Sequence, residues 1–142
     1  MIILGCVVQP AFAAGLSTTF GEIVVENLPL GETYSLAEKV KMPLVVSNTG
    51  NAAVNLKIEV LAAKESELKE GFAPIPDIGW IELKQKEFTL GPGESAKTDV
   101  LISVPDDTQY RGRKFQVYLL SYTTGSTVGV GLKSRFLFSI AQ

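Results

Sequence analysis

The sequence predicts an all-β fold: seven or eight strands in two antiparallel sheets packed face to face. Three observations predict it. Short stretches alternate apolar and polar residues, the period of a strand with one buried face. Ala96, Thr98, Val100, Ile102 and Val104, set against Lys97, Asp99, Leu101 and Ser103, are the clearest case. Clusters of Gly, Pro, Asn and Asp interrupt these stretches at sandwich-like spacing. No stretch carries a convincing long helical period. A jelly roll is the alternative arrangement. The 142 residues make one domain, large enough for a full core without staples.

Met1 to Val8 is almost wholly apolar, and Ala11-Phe12-Ala13 is the small-x-small pattern read by signal peptidase. Residues 1–13 are therefore read as a signal peptide, with cleavage before Ala14. Its positive n-region is missing, because no Lys or Arg precedes Lys39. Lipidation of Cys6 and retention of the segment as a strand are the two competing readings. The run is too short to span a bilayer, which takes about 20 residues, so no transmembrane segment is expected in the mature chain. Residues 14–142 are expected to form the single sandwich domain.

Ser17 to Glu26 reads as a strand, broken at Gly21, since a lone glycine in a strand suggests a bulge. Leu28 to Glu32 is a turn. Val40, Met42, Leu44 and Val46 alternate with Lys39, Lys41, Pro43, Val45 and Ser47 and end in Asn48-Thr49-Gly50-Asn51, a tight connection. Val54, Leu56, Ile58 and Val60 follow, and the two runs are expected to pair as a hairpin. Ala62 to Glu70 is a short helix or a solvated excursion. Gly71 to Gly79 is an apolar loop punctuated by Pro74 and Pro76, and Trp80 to Leu83 is a short strand.

Phe88 and Leu90 share a face, Gly91-Pro92-Gly93-Glu94-Ser95 is turn chemistry, and the Ala96–Val104 strand is expected to complete a second hairpin. Pro105-Asp106-Asp107 ends it, and Gln109 to Arg113 is a turn. Phe115 to Tyr122 is apolar on both faces, as a central strand is, with Phe115, Val117 and Leu119 pointing one way and Tyr118, Leu120 and Tyr122 the other. Thr123 to Val128 is a loop, and Leu132, Phe136, Phe138 and Ile140 mark the last strand.

Val45-Val46-Ser47-Asn48-Thr49-Gly50-Asn51, Phe88-Thr89-Leu90-Gly91-Pro92-Gly93-Glu94-Ser95, Val104-Pro105-Asp106-Asp107 and Arg111-Gly112-Arg113-Lys114-Phe115 together resemble a broad group. It comprises exported immunoglobulin-like modules related to major-sperm-protein domains and to the N-terminal domain of WxL-interacting surface proteins. The resemblance covers about Glu22 to Ile140. It implies an immunoglobulin-like antiparallel β-sandwich. Its motifs are turn chemistry, so they speak for a fold more than for a function. Pilus chaperones share this architecture and hold a subunit's C-terminus with a basic cleft pair, which has no match here.

Composition excludes several functions. There are no histidines, which removes Ser-His-Asp and Cys-His catalysis and His-dependent metal sites. Net charge is −2 and only Arg111, Arg113 and Arg135 are arginines, so no nucleic-acid footprint is expected. Asp106, Asp107, Glu94 and Asp99 suggest calcium less than turn hydrogen bonding. No cofactor or metal is expected, and the chain is not read as an enzyme. Tyr118 and Tyr122 either stack on a sugar or pack.

The favoured function is a non-enzymatic structural or protein-interaction module of the bacterial or archaeal cell envelope, exported to the periplasm or cell surface. The alternative is a fibre or pilus-like subunit assembling by β-strand addition. Its partner is then another envelope or surface protein, or itself. Three candidate contact regions follow. The strand with Thr19 and Ile23 lacks Lys, Arg and Pro, the usual guards of an edge. The loop with Phe72, Ile75 and Ile78 either covers an edge or meets a partner. Arg111 and Arg113 either hold an anionic partner or lie on a solvated turn.

Overall fold

The structure is a computed structural model that describes residues 6–13, 15–125 and 129–142, with side chains described from Gly15 onward except Phe20. Met1 to Gly5 of the predicted leader, Ala14 at the predicted cleavage point and Ser126 to Val128 of the predicted loop lie outside the described residues.

In chain order the strands are β1 (Cys6–Ala13), β2 (Leu16–Leu28), β3 (Thr33–Ser35), β4 (Leu44–Asn48), β5 (Val54–Ala62) and β6 (Ala73–Pro74). They continue as β7 (Ile81–Leu83), β8 (Glu87–Leu90), β9 (Ser95–Thr98), β10 (Val100–Ser103), β11 (Lys114–Thr124) and β12 (Gly131–Ile140). One helical turn, α1 (Leu36–Lys39), follows β3, and single 3₁₀ turns lie at Glu65–Glu67, Ile78–Trp80 and Thr108–Tyr110. Among the described residues no helix is long and apolar enough to cross a membrane.

One sheet runs β8-β5-β11-β12-β2-β4-β9, with β1 on β2 and β6 on β11; a smaller one runs β3-β10-β7. The long sheet turns over at β2. Leu16 to Thr18 pair antiparallel with β4. Glu22 to Val25 and Leu28 pair parallel with β12. Thr19, Phe20 and Gly21 fall between these pairings, so the break expected at Gly21 is where the strand changes layers. The 95–103 stretch is shared by the two sheets and keeps the same residues inward throughout. Thr98 pairs with β4, while Ile102 pairs with β3 and β7. Asp99 sits at that change and ties it to α1: it accepts the Ala37 N–H at 3.0 Å and the Ser35 hydroxyl, which in turn caps the Glu38 N–H. The result is an immunoglobulin-like β-sandwich. It has more strand segments than expected, because Cys6–Ala13 adds β1, short pairings add β3 and β6, and the 95–103 stretch is cut in two at Asp99.

Side-chain alternation is as the sequence predicts. Ala96, Thr98, Val100, Ile102 and Val104 are buried, while Lys97 and Ser103 are exposed. The strand partners differ from expectation. β8 pairs with β5 and not with β9, and β4 pairs with β2 and β9 and not with β5. Both expected hairpins are links between layers. Alternation fixes which face is buried, and two strands from opposite layers show the same pattern as two neighbours. The links are docked on one another through Asn48, which is buried. Its amide donates to the carbonyls of Ala52 (2.8 Å), Leu90 (3.2 Å) and Gly91 (3.1 Å), and its oxygen accepts the Gly50 N–H (3.0 Å). Gly93 then donates to the Asn48 carbonyl at 2.8 Å; its φ of 78° is open to glycine at no steric cost.

Val117, Leu119, Phe136, Phe138, Val100 and Ile102 are all buried, each contributing about 1.5–3 kcal/mol of apolar transfer. Trp80 is buried edge-on to Tyr110 (4.9 Å between centroids) and Phe115 (5.6 Å). Phe88, expected in the core, is only half-buried because it lies on the terminal strand β8, where Leu90 takes the inner position.

Candidate functional site

The three regions singled out from sequence occupy different parts of the sandwich. The first is the outer edge of β2. In the structure the predicted leader segment Cys6–Ala13 is strand β1, antiparallel to β2. Cys6 faces Val25, Gln9 faces Glu22, and Ala13 faces Leu16, with Gly15 at φ 92°. The register shifts at Pro10. Thr19 is exposed, as a contact residue needs to be. Ile23 is not: it is fully buried, because alternate residues of β2 face the core. Of the two, only Thr19 offers its side chain to a partner. Glu22, the one charge of this stretch, is held on the sheet's outer face. Lys69 Nζ lies 2.9 Å and Arg135 Nη1 3.4 Å from its Oε1. The Lys69 hydrogen bond, with a smaller contribution from Arg135 and against some burial, draws its carboxyl below the ordinary range.

The second region is the 72–78 loop. Ala73 and Pro74 pair parallel with Phe115 and Gln116, and the Ile75 N–H donates to the Gln116 carbonyl at 3.2 Å. This piece covers the edge of β11 beyond the end of β5. Ile75 is buried in the core beneath it, which removes it as a surface contact. Phe72 is half-buried under the Lys114 ammonium, 5.8 Å from the ring centre. Ile78 remains, and at 46% it is the one large hydrophobic that stands exposed among the described residues. The loop is thus mostly edge cover with one apolar residue left outside.

The third region is the turn at Arg111-Gly112-Arg113. Both arginines are exposed. Gly112, at φ 71°, donates to the Ile140 carbonyl at 3.2 Å, and Arg113 lies over the Phe115 ring at 5.7 Å. This turn and Phe72 flank the start of β11. Thr19 precedes Glu22 on β2, where Glu22 is in register with Arg135.

Sequence reasoning missed a polar network on the outer face of β11 and β12. Gln116 is completely buried in a strand that otherwise reads as apolar. Its oxygen accepts the Lys69 N–H at 2.9 Å, and its amide donates to the Glu67 carbonyl (2.9 Å) and the Tyr118 hydroxyl (3.1 Å). Lys133 pairs with Glu67 and sits 4.4 Å above the Tyr118 ring. The 64–70 excursion is therefore strapped onto the sheet. The available signal was Gln116 itself, a lone amide among apolar neighbours.

The remaining candidates have local duties. Tyr118 is buried beneath Lys133 and offers no open ring face, and the Tyr122 hydroxyl donates to Glu59 at 3.0 Å. Asp107 accepts the Gln109 N–H at 3.1 Å, Glu94 accepts the Gly91 N–H, and Asp99 holds α1. These carboxylates do not converge, and no group of three or more potential metal ligands exists among the described residues. An open, largely polar groove of about 610 Å³ lies beside β8, lined by Asn55, Lys57, Gln85, Glu87 and Thr89 with Phe88.

No family model matches the chain, and no curated protein does. Solved structures do. An ASH/PapD-like domain of human CEP192 is similar with a TM-score of 0.62 at 14% identity, covering 96% of this chain and 94% of that one. The periplasmic chaperone SfaE gives 0.58 at 10% identity, covering 90% of this chain and 59% of that one. The E. coli chaperone DraB gives 0.55 at 15%, covering 88% and 54%. The chain thus spans little more than half of these chaperones. At such identities the likeness is one of fold, and it agrees with the immunoglobulin-like sandwich.

Proposed function

We propose that the chain is an exported, non-enzymatic protein-interaction module of the bacterial or archaeal cell envelope, and that its partner joins the edge of β2 as an added strand. One observation carries this reading: that edge already holds an extra antiparallel strand, β1, along Leu16 to Thr18 and Glu22 to Val25. Backbone pairing on an exposed edge supplies affinity without a pocket. The reading includes processing between Ala13 and Ala14, which removes β1 and opens the edge. Structural likeness to PapD-like domains and to a chaperone caught with a tip adhesion subunit in a pre-assembly complex (TM-score 0.52, 13% identity) supports protein binding over catalysis. The second reading is a fibre-like subunit, favoured by the same edge: an N-terminal segment then adds to the sheet of the next copy.

Two substitutions separate the surfaces. Thr19→Pro stiffens the break between the two paired stretches of β2 and so disrupts strand addition at the edge. Ile78→Asp alters the exposed loop residue; Ile75 is unsuitable because its burial makes any charge there a folding defect. In pull-downs of processed protein from the native host, Thr19→Pro is expected to lose the partner and Ile78→Asp to keep it. Equal recovery by both folded variants rules the edge out. N-terminal sequencing of that protein is expected to begin at Ala14; an intact leader or a lipidated Cys6 contradicts the processing step.

A further inference from the structure

We propose a second binding surface, independent of the edge of β2: the outer face of β8, β5 and β11 binds a neutral saccharide chain, with Tyr122 as the ring it stacks on. The sheet register assembles this face. Tyr122 lies opposite Lys57 on β5 and Gly131 on β12, and Thr124 lies opposite Asn55. Asn55 in turn faces Thr89 on β8, and Lys57 faces Glu87. Leu56, Ile58 and Ser121 are buried in the sandwich, so by strand alternation these neighbours point outward.

The Tyr122 ring is half-buried, and its hydroxyl donates to Glu59 at 3.0 Å. Glu59 is itself held by Lys57, whose Nζ lies 3.3 Å from Oε1. The ring is thus fixed before a ligand arrives, which lowers the ordering cost of binding. Gly131 places no side chain against it. Among the described residues no cation lies over it, whereas Tyr118 sits under Lys133. An aromatic face carries partial negative charge, which suits the polarised C–H groups on one side of a sugar ring.

The groove beside β8 borders this ring through Lys57 and Thr124. Its polar lining has one charge of each sign, Lys57 and Glu87, and is otherwise amide and hydroxyl. Such a lining carries no net charge to attract an ion. It offers donors and acceptors side by side, which a row of sugar hydroxyls needs. Two of its amides are already oriented. Thr89 donates to the Asn55 oxygen at 3.1 Å, which leaves the Asn55 amide N–H groups to donate. Gln85 donates to the Glu87 carbonyl at 3.0 Å, which leaves the Gln85 oxygen to accept. These groups stand on the face of the sheet. A peptide added to β8 would instead pair with its backbone in the sheet plane.

The experiment titrates the whole chain, isotope-labelled for NMR, with neutral hexasaccharides of β-linked glucose, mannose and N-acetylglucosamine, and with acidic hexagalacturonate. At least one neutral sugar is expected to shift the side-chain amides of Asn55 and Gln85 and the backbone amides of Tyr122 and Thr124. Tyr122→Ala is expected to weaken that binding on the order of tenfold. Tyr122→Phe keeps the ring and is expected to weaken it less than about threefold. Asn55→Ala, at an exposed position, is expected to cost about threefold or more with the fold untouched. No shift with any of the neutral sugars overturns the proposal. So does binding of galacturonate alone, which is attraction of charge, or binding indifferent to Tyr122→Ala and Asn55→Ala. A loss with Tyr122→Phe as large as with Tyr122→Ala assigns the effect to the hydroxyl and overturns the stacking ring. If Tyr122→Ala does not fold, Asn55→Ala and Tyr122→Phe decide.

Discussion

At the scale of single residues, the polar groups that matter most are those that sequence reading treated as turn punctuation. Asn48 is the main example. It satisfies three carbonyls and one N–H across both layer-crossing links. Asn48→Asp keeps the accepted bond from Gly50 but loses all three donated ones. A loss of about 2–4 kcal/mol is expected in a denaturant melt, since each unsatisfied buried group costs about 1–3 kcal/mol and relaxation recovers part. A loss no larger than that of an exposed change means the carbonyls find other donors. Trp80→Ala, at a fully packed aromatic site, is expected to cost about 3–5 kcal/mol, and Lys97→Ala, exposed on its strand, less than about 0.5 kcal/mol. Burial of this kind was legible. Trp80, Val100, Ile102, Val117, Leu119, Phe136 and Phe138 all lie in the core, because alternation and size decide it locally. Ile23 and Ile75 were misread as surface for a related reason: the edge and the loop containing them were judged as wholes, when every second residue of an edge strand still faces inward.

At the scale of elements, the strap formed by residues 64–70 is held by three side-chain anchors: Gln116, Lys133 and the Glu22–Lys69 pair. Gln116→Leu keeps the strand apolar but leaves the Lys69 N–H and the Glu67 carbonyl without their partner. The strap's amides are expected to lose exchange protection while the β11–β12 ladder keeps it. The strap also responds to acid. The hydrogen bond from Lys69 lowers the Glu22 pKa, and that from Lys133 lowers the Glu67 pKa. Both carboxylates are therefore harder to protonate folded than unfolded. Their contribution is complete above the ordinary carboxylate range, about pH 4 to 5, and is lost as pH falls below it through the depressed folded values. An NMR titration following the Lys69 amide is expected to show the strap detaching only there. Release near neutral pH contradicts the assignment. The sequence did not reveal this element because its anchors are more than forty residues from the strap, and only the sheet register brings them together.

At the scale of the whole molecule, the fold class was legible while the connectivity was not. Apolar alternation and turns specify that strands exist and which face they bury. They do not specify which of two layers a strand joins, and here both well-patterned pairs divide between layers. This has a mechanical consequence. β2 pairs with both β12 and β4, and the 95–103 stretch joins the long sheet to the small one, so neither sheet can unfold without unpairing a strand shared with the other. The molecule is expected to unfold as one unit. In urea, far-UV circular dichroism, which reads the strands, and Trp80 fluorescence, which reads the packing against Tyr110 and Phe115, should give a single shared midpoint. Asp99→Ala tests the same point at the crossing. It removes the acceptor for Ser35 and Ala37, a loss of about 1–3 kcal/mol, and both probes should shift together. A fluorescence transition that moves while the dichroism stays in place means that the β3-β10-β7 sheet melts independently, and that the shared strands do not couple the layers.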